Sequence, residues 1–344
     1  MPIIDKSKYE IGWPWTSGHL QSLYPTLFRK VEKPQYSRQR IITPDADFLD
    51  IDWVRGGNRR VAVVLHGLEG SSYAVYVRGM ARHLFRNGWD IAAMNFRSCS
   101  GESNQTLGFY HSGKTEDLEQ VLRHIVIHEI VSAGSYDEIS LIGFSIGGNI
   151  VLKYLGEQGL RVSPLIKSAV AISVPCDLRG SAEALSLPKN RIYMNRFLRL
   201  LRHKIRSKMT LFPNAISDSG FESIRNFKDF DDRYTAPLSG FEDAYDYWDK
   251  CSSKKFLGAI RVNTLIINAL NDPFLSSTCF PVREAKQSKF VFLETPNYGG
   301  HVGFVSWNRD KNSFAEMRAL EFLDSQSASD TETELSYSMI VNDK

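Results

Sequence analysis

The sequence has few cysteines and no closely spaced pair of them. Its 344 residues include four, at positions 99, 176, 251 and 279. Structural zinc sites usually take their thiolates from close pairs, so this spacing argues against a zinc centre. We therefore predict that all four are free thiols in a reducing compartment.

Long hydrophobic runs are absent as well. No stretch of about 18 consecutive apolar residues occurs, so we predict no transmembrane helix. The opening residues, MPIIDK, do not form a positively charged region followed by an apolar one, so we expect no secretory signal peptide. These absences predict a cytoplasmic protein.

A strong excess of charge of either sign is also missing. Lys and Arg total 42, Asp and Glu total 39, and the net charge is +3. So small an excess does not favour nucleic acid as a partner. Hydrophobic residues make up 42% of the chain, which is sufficient for a buried core.

Segments with strand and helix periodicity alternate along most of the chain. This alternation predicts the α/β class, with a mostly parallel sheet that helices cover on both faces. The predicted strands are 39–42, 48–54, 60–65, 90–96, 139–144, 167–174, 264–269 and 290–294, and the predicted helices are 76–86, 115–130, 149–157 and 312–323.

The alternation stops between positions 176 and 262, where the sequence is aromatic and helix-rich. We interpret this segment as an insertion that covers the carboxyl edge of the sheet. The last twenty residues are rich in Ser, Thr, Asp and Glu, a composition typical of mobile tails. The predicted parts are an N-terminal arm (1–37), a first core part (38–175), a helical cap (176–262), a second core part (263–324) and a mobile tail (325–344).

The most informative motif is GFSIG at positions 143–147, which lies between a predicted strand and a predicted helix. In this context Gly-x-Ser-x-Gly is typical of the nucleophile elbow of α/β-hydrolases, a strained turn that presents serine at the edge of the sheet. Gly143 and Gly147 would allow neighbouring backbone to approach closely. Ser145 is the predicted nucleophile. The alternative is a glycine-rich turn whose serine only caps the helix.

A serine nucleophile needs a base, and the base needs an acid that orients it. In this fold the chain order is Ser, then Asp or Glu, then His. Of the eight histidines, only His203 and His301 follow Ser145. His301 lies in the glycine-rich stretch NYGGHVGF between the last predicted strand and the last predicted helix, so it is the predicted base. His203 lies in a basic segment, and we predict that it is solvated.

Two aspartates follow predicted strands and are candidates for the acid. Asp272 comes after the strand 264–269, and Pro273 ends that strand. Asp177 comes after the strand 167–174. We favour Asp272, because the loop after the penultimate strand usually supplies the acid in this fold. Asp177 could instead cap the next helix.

An oxyanion hole needs two backbone N–H groups. One should belong to Ile146, directly after the nucleophile, and the other to Leu68 in the loop LHGLEGSS that follows the strand 60–65. His66 in the same loop is predicted to be structural and to bond nearby backbone.

Several blocks of residues are spread along the chain: GHLQSLYP (18–25), DFLDIDW (47–53), HGLEG (66–70), NFRSCSGE (95–102), YHSGKTED (110–117), the elbow, FDDRYTAP (230–237) and HVGF (301–304). Together these blocks resemble the YheT-like branch of the α/β-hydrolases. The resemblance implies a serine hydrolase with Ser145, Asp272 and His301 as its triad, and esterase activity toward acyl esters, with phospholipids among the substrates of the family. The residues at 271 and 98 depart from the usual Asp-Asp-Pro and Arg-Gly of the family. The first departure leaves the acid in place, and the second concerns a local turn.

Two histidines within these blocks have open roles. His111 could approach the pocket, or it could form hydrogen bonds within its own loop, which we favour. His19 could lie over the mouth of the site or pack in the core.

Positions 189–208 hold eight Lys or Arg residues and no acidic residue, and their apolar residues recur at helical spacing. Such a basic amphipathic helix can contact an anionic membrane surface. It can also cover the site with its apolar side down and its charges outward. We favour the second interpretation, because an inserted cap must pack against something.

Together these features predict a carboxylesterase-type serine hydrolase that cleaves small-molecule or lipid-like acyl esters through an acyl-enzyme intermediate. We expect no metal, no organic cofactor and no nucleic-acid partner. The alternatives are an acyltransferase with the same triad and a non-catalytic ligand-binding protein on a hydrolase scaffold.

Overall fold

A nine-stranded sheet forms the centre of the computed structural model, which describes residues 3–4 and 6–326. Each predicted strand is present, with its ends within two residues of the prediction, and β1 is additional. The strands are β1 (Ile3–Ile4), β2 (Ser37–Ile42), β3 (Phe48–Val54), β4 (Arg60–Leu65), β5 (Trp89–Asn95), β6 (Glu138–Phe144), β7 (Ile166–Ile172), β8 (Asn263–Ile267) and β9 (Val291–Glu294).

The strand order is β1-β9-β8-β7-β6-β4-β5-β3-β2. The pairs β2–β3 and β3–β5 are antiparallel, and the other pairs are parallel. The carboxyl ends of parallel strands meet at one edge of a sheet, where ligands usually bind in such folds. The loops that follow β4, β6 and β8 therefore all lie at this edge.

The sheet is covered by helices on both faces. α3 continues into the wider turns of Ile125–Val131, so that the predicted helix 115–130 is present in two geometries. The helices are α1 (Gly18–Phe28), α2 (Val75–Phe85), α3 (Thr115–His124), α4 (Ile146–Gln158), α5 (Leu178–Ser186), α6 (Arg191–Leu211), α7 (Phe227–Phe230), α8 (Ala236–Ser239), α9 (Ala244–Cys251), α10 (Val282–Gln287) and α11 (314–326).

Alternating residues of each central strand pack on opposite faces. In β4, Val61 and Val63 belong to the hydrophobic cluster that includes residues of α3 and α4, whereas Ala62 and Val64 belong to the cluster that includes residues of α2 and α11. All four side chains are fully buried. A strand buried on both faces needs this continuous apolar sequence, and the predicted α/β class is confirmed.

Between β7 and β8 the described chain forms helices and loops only, and their apolar side chains contribute to one cluster around α6 and to a second cluster around α5 and α9. The predicted outward orientation of the α6 charges is wrong for two lysines. Lys204 is 6% exposed, and Lys208 is fully buried, where its Nζ donates to the carbonyls of Asn104 and Thr106 at 2.7 and 2.6 Å. These contacts hold α6 against the loop after β5.

The division into arm, core, cap and tail stays a prediction. Residues 327–344 of the predicted tail lie outside the described residues. None of the helices in the described part of the chain combines enough length and hydrophobicity to span a bilayer.

Candidate active site

Ser145 occupies the sharp turn between β6 and α4. Its φ of 53° lies in the left-handed region, which serine rarely adopts, and its N–H donates to the Ile172 carbonyl at 2.8 Å. A Cβ on Gly143 would lie 2.4 Å from the Gly147 carbonyl oxygen, and one on Gly147 would lie 2.5 Å from that of His66. Close backbone packing therefore requires both glycines, as the sequence predicts.

The Ser145 side chain does not cap α4. Its Oγ lies 3.0 Å from Nε2 of His301, and Nδ1 of His301 lies 2.8 Å from Oδ2 of Asp272. Because a carboxylate only accepts, Nδ1 carries the proton and Nε2 accepts from the serine hydroxyl. The structure thus brings the three predicted residues together in one hydrogen-bonded chain, in which His301 and Asp272 are 8% and 5% exposed.

Both carboxylate oxygens of Asp272 have a donor. Oδ2 faces His301, and Oδ1 accepts the backbone N–H of Phe274 at 2.8 Å. The Phe274 ring stacks on the His301 imidazole with the ring centres 4.1 Å apart. Asp177, the other candidate, caps α5 by accepting the N–H of Gly180 at 3.1 Å.

Leu68 and Ile146 line the same cavity as Ser145. In the described part of the chain neither backbone N–H donates a hydrogen bond, so both are available to an incoming oxygen atom. Their assignment to an oxyanion hole stays a prediction.

Two side chains, the buried His66 and the partly buried Tyr76, hold the loop that contains Leu68. Nδ1 of His66 lies 2.7 Å from the Gly67 carbonyl, and its Nε2 accepts the N–H of Phe96 at 3.1 Å. Burial lowers the pKa of His66 to about 3, so the ring is neutral at neutral pH. The hydroxyl of Tyr76 accepts the N–H of Gly67 at 2.9 Å. His66 is thus structural, as predicted.

Two cavities meet at Ser145. The first has a volume of about 770 Å³ and extends under the segment between β7 and β8, where mostly apolar and aromatic side chains line it. The second, of about 1300 Å³, lies between α1, the loop after β4, α2 and α6, and carries more hydroxyl and charged groups. Such a pair of cavities can hold the two halves of a molecule whose reacting bond lies over Ser145. Both cavities are lined by Leu68, Ser145, Phe197, Phe274 and His301.

Comparison with known proteins identifies the family. A family model of the alpha/beta hydrolase fold matches residues 61–305. YheT of Escherichia coli (strain K12), whose name designates it as an esterase, is 34% identical over 293 residues, which cover 83% of this chain and 84% of that protein. This chain is a YheT-like α/β-hydrolase.

Two further likenesses agree with this assignment. Phospholipase ABHD3 of Mus musculus is 29% identical over 320 residues, which cover 90% of this YheT-like chain and 76% of that protein. The solved structure of the Pyrococcus furiosus esterase Pf2001 matches with a TM-score of 0.56 at 18% identity, over 85% of this chain and 93% of that one. At that identity the structural likeness shows the shared fold alone.

The N-terminal arm of this YheT-like hydrolase supports the site in a way that the sequence alone did not predict. The Ser22 hydroxyl of α1 accepts the backbone N–H of His301 at 2.7 Å. Asn271 donates to the Thr16 carbonyl at 2.9 Å and accepts the N–H of Gly300 at 3.0 Å. An aspartate at position 271 could not donate to Thr16. The departure from Asp-Asp-Pro therefore ties the arm to the loop of the predicted base.

A second unpredicted network connects α6 to the loop that carries Leu68. Nζ of Lys204 lies 2.9 Å from Oε1 of Glu69. The Tyr110 hydroxyl donates to the same oxygen at 2.7 Å and accepts the Glu69 N–H at 2.8 Å. Buried charges need such pairing, because a lone buried ion is strongly destabilising. The position of the loop is thus coupled to α6 through one ion pair.

The remaining histidines of interest lie outside the hydrogen-bonded chain. His111 lines the first cavity, and its Nδ1 also accepts the N–H of Gly113 at 3.2 Å, so both of its suggested roles fit. His19 stacks on Tyr193 of α6, with Nδ1 3.2 Å from the hydroxyl. His203 is exposed, as predicted. Among the described residues, no group of three or more His, Cys, Asp or Glu side chains could hold a metal ion.

Asp231 is a buried carboxyl in the wall of the first cavity. It accepts from the Thr235 hydroxyl at 2.6 Å and from Nε1 of Trp248 at 2.8 Å, and burial raises its pKa from 3.8 to about 7. Folding then favours the protonated form. The contribution of Asp231 to the free energy of unfolding is therefore largest below pH 3.8. It falls by up to about 4 kcal/mol as the pH rises to 7.

We expect Asp231→Asn to remove this pH dependence. Differential scanning fluorimetry measures the melting temperature of the variant minus that of the unsubstituted protein. This difference should be more positive at about pH 8 than at about pH 5.5. Asp232→Asn is the matched control: burial raises the pKa of Asp232, but hydrogen bonds from Lys228 and the Ala244 N–H outweigh it and lower that pKa. Asp232 is thus ionised at both pH values. If Asp231→Asn changed the melting temperature equally at both pH values, the prediction would be contradicted.

Proposed function

We propose that the protein is a carboxylesterase-type serine hydrolase that cleaves acyl esters through an acyl-enzyme intermediate on Ser145. The observation that carries this proposal is the continuous hydrogen-bonded chain from Ser145 through His301 to Asp272. The names of the relatives, an esterase and a phospholipase, favour ester hydrolysis over the other reactions of this fold.

The proposed reaction begins when Nε2 of His301 takes the hydroxyl proton of Ser145 and Oγ attacks the ester carbonyl. Asp272 holds the imidazole in its Nδ1–H form and stabilises the imidazolium. The N–H groups of Leu68 and Ile146 bind the oxyanion. His301 then gives its proton to the leaving alcohol. Water, activated by the same imidazole, releases the acid and restores Ser145.

The two cavities suggest how the ester is oriented. The first cavity is lined by Leu185, Phe230 and Trp248 from the segment 176–262 and by Phe109, and it suits an acyl chain. The second cavity is more polar and suits the alcohol half. In this proposal the segment 176–262 acts as a cap that supplies the acyl pocket.

A series of p-nitrophenyl esters from acetyl to dodecanoyl tests the proposal. We expect turnover that releases p-nitrophenol and carboxylic acid in equal amounts, with kcat/KM rising as the acyl chain fills the apolar cavity. Added alcohol acceptors would reveal any acyl transfer. Absence of turnover for every ester, in correctly folded protein, would contradict the proposal.

Membrane contact through residues 189–208 is a separate proposal. Among the described cations of this stretch, Arg191 and Arg199 face solvent, whereas Lys204 and Lys208 are buried. Co-sedimentation with anionic and with neutral vesicles would test this contact.

A further inference from the structure

The second cavity contains two arginines whose charges no carboxylate compensates. Arg78 projects from α2 and Arg196 from α6, and both line the cavity that opens at Ser145. Across residues 3–4 and 6–326 neither side chain forms an ion pair or a hydrogen bond, and Nε of Arg78 is sealed from solvent without a partner. A buried polar atom without a partner is costly, so Nε of Arg78 fits a ligand that supplies an acceptor, and the exposed Arg196 is free to contact the same ligand.

Two neighbouring cations of α6, in contrast, are paired with a carboxylate. Arg202 and Arg206 both contact Asp218, at 3.0 and 2.7 Å. Glu69 is the one carboxylate among the described residues that line the second cavity, and Lys204 already neutralises it at 2.9 Å. The uncompensated charge of the cavity is therefore positive.

Guanidinium groups suit one class of ligand in particular. Their planar forks of N–H donors match the oxygens of phosphate, and two of them from different helices can hold one phosphate group. A positively charged choline or ethanolamine group would find no free carboxylate here, because Glu69 is occupied. The cavity thus favours an anionic group over a neutral or a zwitterionic one.

We propose that Arg78 and Arg196 bind a phosphate monoester on the alcohol half of the substrate, so that the preferred substrates are acyl esters of phosphorylated alcohols. This inference rests on the proposed function, because it assigns the second cavity to the alcohol half of an ester that Ser145 attacks. The acyl chain then occupies the first cavity and the phosphate group the second.

The test compares three soluble hexanoyl esters: of glycerol, of glycerol 3-phosphate and of glycerophosphocholine. We expect the highest kcat/KM for the glycerol 3-phosphate ester. The measured quantity is the ratio of kcat/KM for the glycerol 3-phosphate ester to kcat/KM for the glycerol ester. In the Arg78→Met/Arg196→Met double variant this ratio should fall about 10- to 100-fold, because charge-assisted hydrogen bonds are lost. Arg199→Met, on the solvent face of α6, should leave this ratio unchanged.

Each outcome separates the two proposals. If the unsubstituted protein had the same kcat/KM for the glycerol ester as for the glycerol 3-phosphate ester, this inference would be overturned and the proposed ester hydrolysis would stand. Failure to cleave any ester would overturn the proposed function itself. A long-chain version of the phosphorylated ester, presented in neutral and in anionic vesicles, identifies the source of the ligand. Phosphate selectivity confined to anionic vesicles, and absent for the soluble ester, would show that the arginines contact a charged surface instead and would also overturn the inference.

Discussion

Replacing Ser145 by alanine is expected to lower kcat for a p-nitrophenyl ester by about 10⁴-fold or more, because the substitution removes the hydroxyl oxygen that carries the acyl group in the proposed mechanism. The binding cavities remain, so KM should change little. Ser140→Ala is a suitable control, since Ser140 lies on the same strand and bonds Ser168 at 2.8 Å, away from the site.

The comparison of these two serine variants decides the identity of the nucleophile. Loss of activity in Ser145→Ala together with near-normal activity in Ser140→Ala supports the assignment. Full activity of a correctly folded Ser145→Ala protein would show that another group performs the chemistry.

Asp272→Asn is expected to lower kcat by about 10⁴-fold, because the substitution favours the wrong tautomer of His301. Oδ1 of Asp272 already accepts the Phe274 N–H, so the single amide oxygen of asparagine would occupy that position. Its NH₂ group would then face Nδ1 of His301. A ring that must accept at Nδ1 carries its proton on Nε2, where it cannot take the proton of Ser145.

Asp177→Asn is the matched control for this variant. Asparagine is as good a helix cap as aspartate, so α5 should keep its N-terminal hydrogen bond. The variant should therefore keep its activity. Near-normal activity of Asp272→Asn, with a severe loss in Asp177→Asn, would show that the acid was assigned to the wrong residue.

Much of this site could be predicted from the sequence, because its signals are local. The strand before Ser145, the helix after it and the flanking glycines all lie within one short stretch. His301 follows from the chain order that the fold imposes, and Asp272 from its place in the loop after the penultimate predicted strand. The geometry of the structure agrees with these predictions, since His301 lies within hydrogen-bonding distance of both Ser145 and Asp272.

The contacts that could not be predicted join residues far apart in the sequence. Ser22 and His301 are 279 positions apart, and no periodicity or local motif connects them. The burial of Lys204 cannot be predicted from the sequence, because a lysine within a basic amphipathic helix normally faces solvent and its partner Glu69 lies in a distant loop. The alternation of apolar and polar residues reports which face is buried but not which charge has a partner.

The most direct test of the central claim is labelling with a fluorophosphonate, followed by peptide mass spectrometry. An activated serine is expected to take up one phosphonyl group per chain, located on Ser145, and the label should be lost in Ser145→Ala and strongly slowed in Asp272→Asn. Labelling of a different residue, or no labelling of folded protein that is otherwise active on esters, would contradict the account.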